Sequence, residues 1–294
     1  MSEKKKIILF TNFESDVSFE TTRKVAEILT GRGREVVFCP LQSEEQLWPV
    51  ACGLENLPSG KAEDFIESAE MIISFGGDGT ILRAARIAAN AGFATPILGI
   101  NAGRKGFMAE LEATETELIE SAACGEYKIE SRMMLDVEVI RDGKAIIHDF
   151  ALNDIVVKGD NKVIDLTILG DGQHLSGFSG DGVVIATPTG STAYSMSAGG
   201  PIVEPSAHSI IVTPLCAHLL EARSFVLASD RLVTLKLGSR NRNQAYLSSD
   251  GGDHFTVGSG DIFNVKKSAI LTNFVRLTDR SFYKKVSVKL GGQG

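Results

Sequence analysis

One carboxylate stands among glycines in a pattern suited to binding phosphate. Residues 75–80 read FGGDGT, in which Asp78 is surrounded by Gly76, Gly77, Gly79 and Thr80. Glycines let the backbone approach a ligand closely, and the first amides of a following helix favour an anion. A carboxylate beside phosphates makes sense if it faces a Mg²⁺ ion or a hydroxyl to be deprotonated. The segment predicts a phosphate site in which Asp78 is the candidate catalytic residue.

The same residues also fit an ordinary tight turn between a strand and a helix. In that alternative, Asp78 only caps the helix. The segment is not a Walker A loop, because no Gly-Lys-Ser or Gly-Lys-Thr follows, and it is not a G-x-G-x-x-G dinucleotide fingerprint. Taken alone, it leaves both alternatives open.

Two further polar segments carry candidate ligand-binding residues. Asn153 and Asp154 stand together in ALNDIVV, residues 151–157. Asparagine suits an adenine edge because it both donates and accepts hydrogen bonds, whereas aspartate accepts from ribose hydroxyls or binds a metal. An Asn-Asp pair is also a common turn, so this assignment stays open.

Residues 180–205 contain TPTGSTAYSMSAGG, a composition that we expect to be too polar to form a core. Its hydroxyls and main-chain amides suit a polar ligand, and the Tyr194 ring can stack on a planar one. The alternative is a surface loop rich in Ser, Thr and Gly.

The elements around FGGDGT alternate between strand and helix. Apolar runs predict strands at 7–11, 35–39, 71–75 and 96–100, and helices at 17–29, 80–91 and 115–123. Alternation with short connections predicts a parallel sheet with helices on its faces. In such sheets the junction after a strand is where ligands bind, so FGGDGT is well placed.

The chain becomes rich in strands from about residue 127. The pairs Asp142-Gly143 and Asp171-Gly172 predict tight hairpins. Strands are predicted at 135–140, 145–148, 164–169, 183–186, 209–213, 232–237 and 262–265. We therefore predict an α/β domain over 1–126, to which residues of about 275–294 return, and a mostly antiparallel β-rich domain over 127–274.

Composition narrows the class of protein. The 294 residues carry a net charge of −7, which argues against a nucleic-acid binder with a broad basic surface. Four scattered cysteines without a C-x-x-C pair, and no apolar run of roughly 20 residues, predict a cytoplasmic protein without a membrane partner. The five histidines show no zinc-ligand spacing. Lys284, Lys285 and Lys289 are expected to form a solvated face.

The GGDGT motif is shared by NAD kinases, by diacylglycerol and sphingosine-type lipid kinases, and by phosphofructokinases. Here it continues as GGDGTILRAAR, residues 76–86, whereas lipid kinases usually place Asn-Glu after the Thr. Residues 99–111 (GINAGRKGFMAEL), 151–157 and 180–205 follow in the order of the NAD kinase family. The chain therefore resembles bacterial NAD kinases from about residue 7 to its end.

The resemblance implies the GGDGT kinase fold and transfer of a phosphoryl group from ATP to the adenosine 2′-hydroxyl of NAD. It implies Mg²⁺ or another divalent cation with ATP, no directly assigned metal ligand, and a homodimer or homotetramer. Whether polyphosphate is a further donor stays open. Asp78 would be catalytic, an exposed Phe107 would lie near the adenine, and Asp181 near the nicotinamide riboside. The substrate and nucleotide site would comprise Gly76, Gly77, Asp78, Gly79, Thr80, Phe107, Asn153, Asp154, Asp181, Thr192, Ala193, Tyr194, Ser195, Met196, Ser197 and Asp250.

The chain departs from the family pattern at a few positions. Asp154 replaces the usual Glu, and Asp165 stands where some members carry a basic residue. Ser179 and Gly180 precede Asp181 where some members have an arginine, and glycines follow Asp250 where some bacterial members place Gln. We expect these departures to affect substrate affinity more than the class of reaction.

Two rival functions remain open from the sequence. A lipid or sugar kinase would share the GGDGT loop and phosphorylate diacylglycerol or a hexose. A non-catalytic NAD-binding regulator would keep the adenine and ribose contacts and lose donor binding. An assay for NADP formed from NAD and ATP separates all three.

Overall fold

The computed structural model describes residues 6–12, 16–41, 53–103, 106–218, 222–238 and 245–290. The chain forms two compact units, one of residues 1–131 with 270–294 and the other of residues 132–269. The predicted domains, 1–126 with 275–294 and 127–274, differ from these units by a few residues at each limit. Among the described residues, no helix combines the length and apolar character needed to span a membrane.

A parallel sheet forms the centre of the first unit. Its strands are β1 (Lys6–Thr11), β2 (Glu35–Pro40), β3 (Ala69–Gly76), β4 (Ile97–Asn101) and the two-residue β5 (Leu111–Glu112). The strand order is β2-β1-β3-β4, with β5 beside β4, and every pair is parallel. The predicted α/β fold with a parallel sheet is confirmed.

Helices cover both faces of this sheet. They are α1 (Asp16–Gly31), α2 (Asp78–Asn90) and α3 (Ile119–Ala123). The apolar sides of α1 and α3 pack with Leu98 and Ile100 in one buried cluster. On the opposite face, a Cβ at Gly99 would lie 2.5 Å from Ile81 of α2, so only glycine lets this helix approach. The predicted helix over 115–123 is instead a 3₁₀ turn, Thr116–Leu118, followed by the short α3.

The second unit is built from antiparallel strands. After β6 (Lys128–Arg141) come β7 (Lys144–Ala151), β8 (Asp154–Gly159), β9 (Ile164–Gly170), β10 (Gln173–Gly180), β11 (Gly182–Ala186), α4 (Tyr194–Ser197), β12 (Ser209–Leu215), β13 (Phe225–Ala228), β14 (Val233–Leu237), β15 (Ala245–Ser249), β16 (Phe255–Val257) and β17 (Ile262–Arg276). The chain enters this unit within β6 and leaves it within β17, after which helix α5 (Phe282–Leu290) belongs to the first unit.

Two layers of strands enclose the core of the second unit. Six strands pair in the order β13-β12-β11-β8-β15-β16, all antiparallel. The second layer contains β10, β9, β14 and the first part of β17, with the hairpin of β6 and β7. Alternate apolar residues of both layers, such as Val137 and Val157, pack in one buried cluster. The predicted antiparallel, β-rich fold is confirmed.

Two hairpin turns appear where the Asp-Gly pairs predict them. Asp142 and Gly143 have φ values of 50° and 74° between β6 and β7, and Asp171 and Gly172 have 49° and 79° between β9 and β10. Two successive left-handed residues match the twist of the flanking strands in a two-residue turn.

Candidate functional site

Strand β3 presents the FGGDGT segment, because it ends at Gly76 and helix α2 begins at Asp78. No side chain caps the helix at Gly77, so the alternative in which Asp78 serves only as a cap is wrong. Instead, the half-buried carboxylate of Asp78 accepts hydrogen bonds from the main-chain amides of Phe107 (2.7 Å) and Met108 (3.1 Å). A carboxylate held by two backbone donors is fixed in position, as a reacting group must be.

The glycines of the segment fall into two classes. A Cβ at Gly76 would lie 2.3 Å from the hydroxyl oxygen of the buried Thr80, so packing inside the unit requires this glycine. Beside Gly77 and Gly79, in contrast, no described atom lies within 4 Å of a built Cβ. Those two positions leave the start of the helix open to an approaching ligand.

Phe107 differs from the exposed side chain that we predicted. It is half-buried, and the Lys289 ammonium lies 4.0 Å from the centre of its ring. Lys285 donates hydrogen bonds to the carbonyl oxygens of Phe107 (3.3 Å) and Ala109 (2.9 Å). The predicted solvated lysine face is therefore wrong for Lys285 and Lys289, whereas Lys284 is exposed as expected.

In the second unit, Asp250 joins the strand end at β15 to the start of β8. Its carboxylate accepts hydrogen bonds from the amides of Leu152 (2.8 Å), Asn153 (2.7 Å) and Asp154 (3.1 Å). Asp250 has a positive φ of 53°, a conformation that aspartate tolerates better than most residues. The structure thus brings together three of the predicted binding residues.

Asn153 and Asp154 are both buried, with 7% and 5% of their surface exposed. The Asn153 side-chain oxygen has no hydrogen-bond partner among the described residues, so an unused acceptor is buried there. Burial, and secondarily the negative charge of Asp250, raises the pKa of Asp154 from 3.8 to about 7. Asp154 is therefore a carboxyl group that holds its proton far more readily than an exposed aspartate.

The segment after β11 packs directly onto this strand start. The Thr187 hydroxyl donates to the Leu152 carbonyl oxygen at 2.6 Å, and the Gly190 amide donates to that hydroxyl at 3.1 Å. A Cβ at Gly190 would lie 2.1 Å from the Asn153 carbonyl oxygen. The glycine is required here because two backbone segments touch.

The polar segment contributes to the interior more than its composition suggests. Ser191 and Ser195 are fully buried, and the Ser195 hydroxyl pairs with the Thr213 hydroxyl at 3.0 Å. This pairing satisfies the Ser195 hydroxyl within the fold, since paired hydroxyls can be buried at little cost, and a role of Ser195 in nucleotide binding stays a prediction. Tyr194, in contrast, is 39% exposed. The other predicted binding residues of the segment also keep exposed surface: Thr192, Ala193, Met196 and Ser197.

Asp181 lies away from the Asn153 cluster. The register of β11 on β8 pairs Ala186 with Asp154 at one end and Gly182 with Lys158 at the other. Four residues of strand separate the two ends by about 13 Å. The structure therefore places Asp181 and Asp154 at opposite ends of the same pair of strands.

Asp181 lines a cavity of about 680 Å³ in the second unit. Lys158 and Lys162 line the same cavity, so it contains basic side chains although no basic residue directly precedes Asp181 in the sequence. Tyr246 and His254, also in the lining, stack with their ring centres 4.3 Å apart. Such a mixture of charged and aromatic groups suits a charged, ring-containing ligand.

Asp165 and Ser179, two departures from the family pattern, form a hydrogen bond in which the serine hydroxyl donates to the carboxylate. They face each other across β9 and β10. The acid that replaces a basic residue is thus satisfied within the fold.

Arg132 belongs to none of the sequence motifs described above. It is buried, with 8% of its surface exposed, and its guanidinium donates to the Thr189 hydroxyl at 3.2 Å. A single arginine within strand β6 forms no motif, so only the fold identifies it. Its contact supports the turn between Thr187 and Gly190.

A dedicated metal cage is absent from the described parts of the chain. No group of three or more His, Cys, Asp or Glu side chains converges there. A Mg²⁺ ion held by one or two carboxylates and by substrate phosphates needs no such cage. The half-buried Asp78 beside open glycines fits that manner of binding.

Comparisons with known proteins agree over nearly the whole chain. The family model of the ATP-NAD kinase N-terminal domain matches residues 7–124, and that of the C-terminal domain matches residues 152–277. The NAD kinase of Natranaerobius thermophilus is 40% identical over 289 residues, covering 97% of this chain and 98% of that protein.

Two solved structures share the fold. Yeast NADH kinase, crystallised with NADH, has a TM-score of 0.83 and 25% identity, over 100% of this chain and 89% of that one. An NAD kinase from Archaeoglobus fulgidus, crystallised with ATP, has a TM-score of 0.71 and 23% identity, over 98% and 100% of the two chains.

Proposed function

The chain belongs to the ATP-NAD kinase family, and from this premise we propose that it transfers a phosphoryl group from ATP to the adenosine 2′-hydroxyl of NAD, forming NADP. The observation that carries the proposal is the Asp78 carboxylate, held by the amides of Phe107 and Met108 beside the open Gly77 and Gly79. It combines a fixed proton acceptor with a helix start suited to phosphate.

In the proposed reaction, Asp78 accepts a hydrogen bond from the 2′-hydroxyl and receives its proton as the new P–O bond forms. The oxygen attacks the γ-phosphorus, and the bond to the β-phosphate oxygen breaks, releasing ADP. Because the transition state of phosphoryl transfer is loose, positioning and electrostatics supply most of the rate acceleration. A Mg²⁺ ion arriving with ATP supplies positive charge at the phosphates.

The second unit is proposed to bind NAD along the β8 and β11 strand pair. The unpartnered oxygen of Asn153 suits the exocyclic amino group of adenine, and Asp154 suits a ribose hydroxyl. The cavity beside Asp181 is proposed to take the nicotinamide riboside. The separation of these ends, about 13 Å by strand rise, fits an extended dinucleotide better than a hexose or a diacylglycerol headgroup.

We further propose ATP as the main donor, a divalent cation delivered with it, and a homodimer or homotetramer in the cytoplasm. Free thiols at Cys39, Cys124 and Cys216 support a reducing compartment. Polyphosphate is proposed as a secondary donor.

The test is an assay of the purified chain with NAD, ATP and Mg²⁺, coupled to an NADP-specific dehydrogenase. Parallel reactions replace ATP with polyphosphate, or NAD with NADH, diacylglycerol or a hexose. The proposal predicts NADP from NAD and ATP. Phosphorylation of a lipid or hexose alone would support the rival kinases, and NAD binding without turnover would support a regulator.

A further inference from the structure

The C-terminal residues of the first unit bind the segment that holds Asp78. Four successive carbonyl oxygens, those of residues 107–110, each accept a hydrogen bond from a cationic side chain. Lys285 donates to Phe107 and Ala109, Arg276 to Met108 at 3.3 Å, and Arg280 to Glu110 at 3.1 Å. Helix α5, which carries Lys285, lies beyond both ranges matched by the family models.

The side chain of Glu110 ties the same segment to the chain entering α5. This carboxylate is buried and accepts hydrogen bonds from the Leu277 amide (3.0 Å), the Thr278 amide (2.8 Å) and the Thr278 hydroxyl (2.6 Å). Residues 107–110 are therefore anchored at both backbone and side chain. Such anchoring restricts the positions that the peptide groups can adopt.

One peptide group connects Lys285 to Asp78. The Phe107 carbonyl and the Met108 amide belong to the same planar peptide. Lys285 donates to that carbonyl at 3.3 Å, and the amide donates to Asp78 at 3.1 Å. A cation at the carbonyl polarises the peptide and strengthens its N–H as a donor.

We propose that Lys285 is a positioning residue for Asp78, acting through the peptide between Phe107 and Met108. Lys289 follows one helical turn further along α5, and its ammonium lies over the Phe107 ring. It therefore contacts the side chain of the residue whose carbonyl oxygen Lys285 binds. This inference rests on the proposed function, because it assigns a role in placing the carboxylate that receives the 2′-hydroxyl proton. A residue that only stabilises the fold would not act selectively on the chemical step.

The test compares Lys285→Met and Lys285→Arg with Lys284→Met, a matched control on the exposed side of the same helix. For Lys285→Met we expect kcat to fall about 10-fold, within the roughly 100-fold that a 1 Å misplacement costs. KM for NAD and for ATP should stay within about two-fold, because substrate binding is not the affected step. Lys285→Arg should recover most of kcat, since its guanidinium still donates to both carbonyls. Lys284→Met should match the wild type.

Hydrogen exchange of the Phe107 and Met108 amides gives a second readout, and both should exchange faster in Lys285→Met. Wild-type kcat in a folded Lys285→Met, or an equal loss in Lys284→Met, would overturn the inference. If Lys285→Met melts below the assay temperature, Lys289→Met decides: lowered kcat with unchanged KM supports the inference, and wild-type kcat overturns it. Absence of NADP formation by the wild type would instead reject the proposed function.

Discussion

Asp78 and Asp250 are both held by backbone amides, but their surroundings differ. Asp78 accepts from two amides and stands beside glycines with open space on their outer side. Asp250 accepts from three successive amides and faces the buried Asp154. The same type of contact therefore serves two purposes. In the first unit it fixes a carboxylate beside open glycines, and in the second it fixes the backbone of Leu152, Asn153 and Asp154.

The largest expected effect is on turnover at Asp78. Replacing it with Asn removes the proton acceptor, and kcat should fall by about 10²- to 10⁴-fold. The fold should stay intact, but the melting temperature should fall moderately, because an amide side chain can accept only one of the two backbone hydrogen bonds. Steady-state kinetics and thermal denaturation check both points, with the exposed Asp64→Asn as control. Turnover near the wild-type value would remove Asp78 from the chemistry.

Asn153→Ala should act on binding of NAD instead of on turnover. Its side-chain oxygen has no partner among the described residues, so we assign that oxygen to the ligand. Losing such a hydrogen bond costs about 1–3 kcal/mol, which corresponds to a rise in KM for NAD of about 5- to 150-fold. KM for ATP serves as the internal control and should not change. An equal rise in both constants would point to general damage.

Two glycine substitutions test whether a glycine is needed for packing in the second unit and for ligand access in the first. Gly190→Ala would bring a Cβ to 2.1 Å from the Asn153 carbonyl oxygen and should lower the free energy of unfolding by about 1–3 kcal/mol. In Gly79→Ala, the added Cβ meets no described atom within 4 Å, so the free energy of unfolding should change by less than about 0.5 kcal/mol. KM for ATP should nevertheless rise in this variant. Urea denaturation measures the free energy of unfolding, and initial rates measure KM. If both variants lost stability equally, Gly79 would not be reserved for a ligand.

The Asp154→Asn variant tests the buried carboxyl through the pH dependence of the free energy of unfolding. Because the folded pKa is about 7 and the ordinary value is 3.8, the folded state holds the proton between these pH values and the unfolded state does not. Wild-type stability should therefore fall as pH rises from about 4 to 7, whereas an amide does not titrate. From pH 5 to pH 8, we expect the variant to gain about 2–3 kcal/mol relative to the wild type.

Urea denaturation at the two pH values measures this gain. The exposed Asp253→Asn provides the control and should show no such change. A stability difference between Asp154→Asn and the wild type that is the same at both pH values would contradict the buried, protonated carboxyl.

The sequence predicted the strands and turns that depend on residues close together along the chain. Strand runs such as 71–75, and the Asp142-Gly143 turn, follow from local periodicity and from backbone conformations that few residues tolerate. The family blocks also identified Asp78 and Asn153 as candidates, because these residues lie within recognisable segments.

Contacts between distant residues could not be predicted in this way. Asp78 meets Met108 across 30 positions, Asp250 meets Leu152 across 98, and Lys285 meets Phe107 across 178. The burial of Ser195 has the same origin. Its segment is polar, but its hydroxyl pairs with that of Thr213, which lies 18 positions away. A single sequence contains no signal for such pairs.

The most direct test of the account is a structure of the protein with NAD bound, in which the distance from the Asp78 carboxylate to the adenosine 2′-oxygen is measured. We predict a hydrogen-bond distance of about 2.6–3.2 Å, with the amides of Phe107 and Met108 still bonded to the carboxylate. A carboxylate that faces solvent, far from the ribose, would contradict the assignment of Asp78 as the catalytic residue.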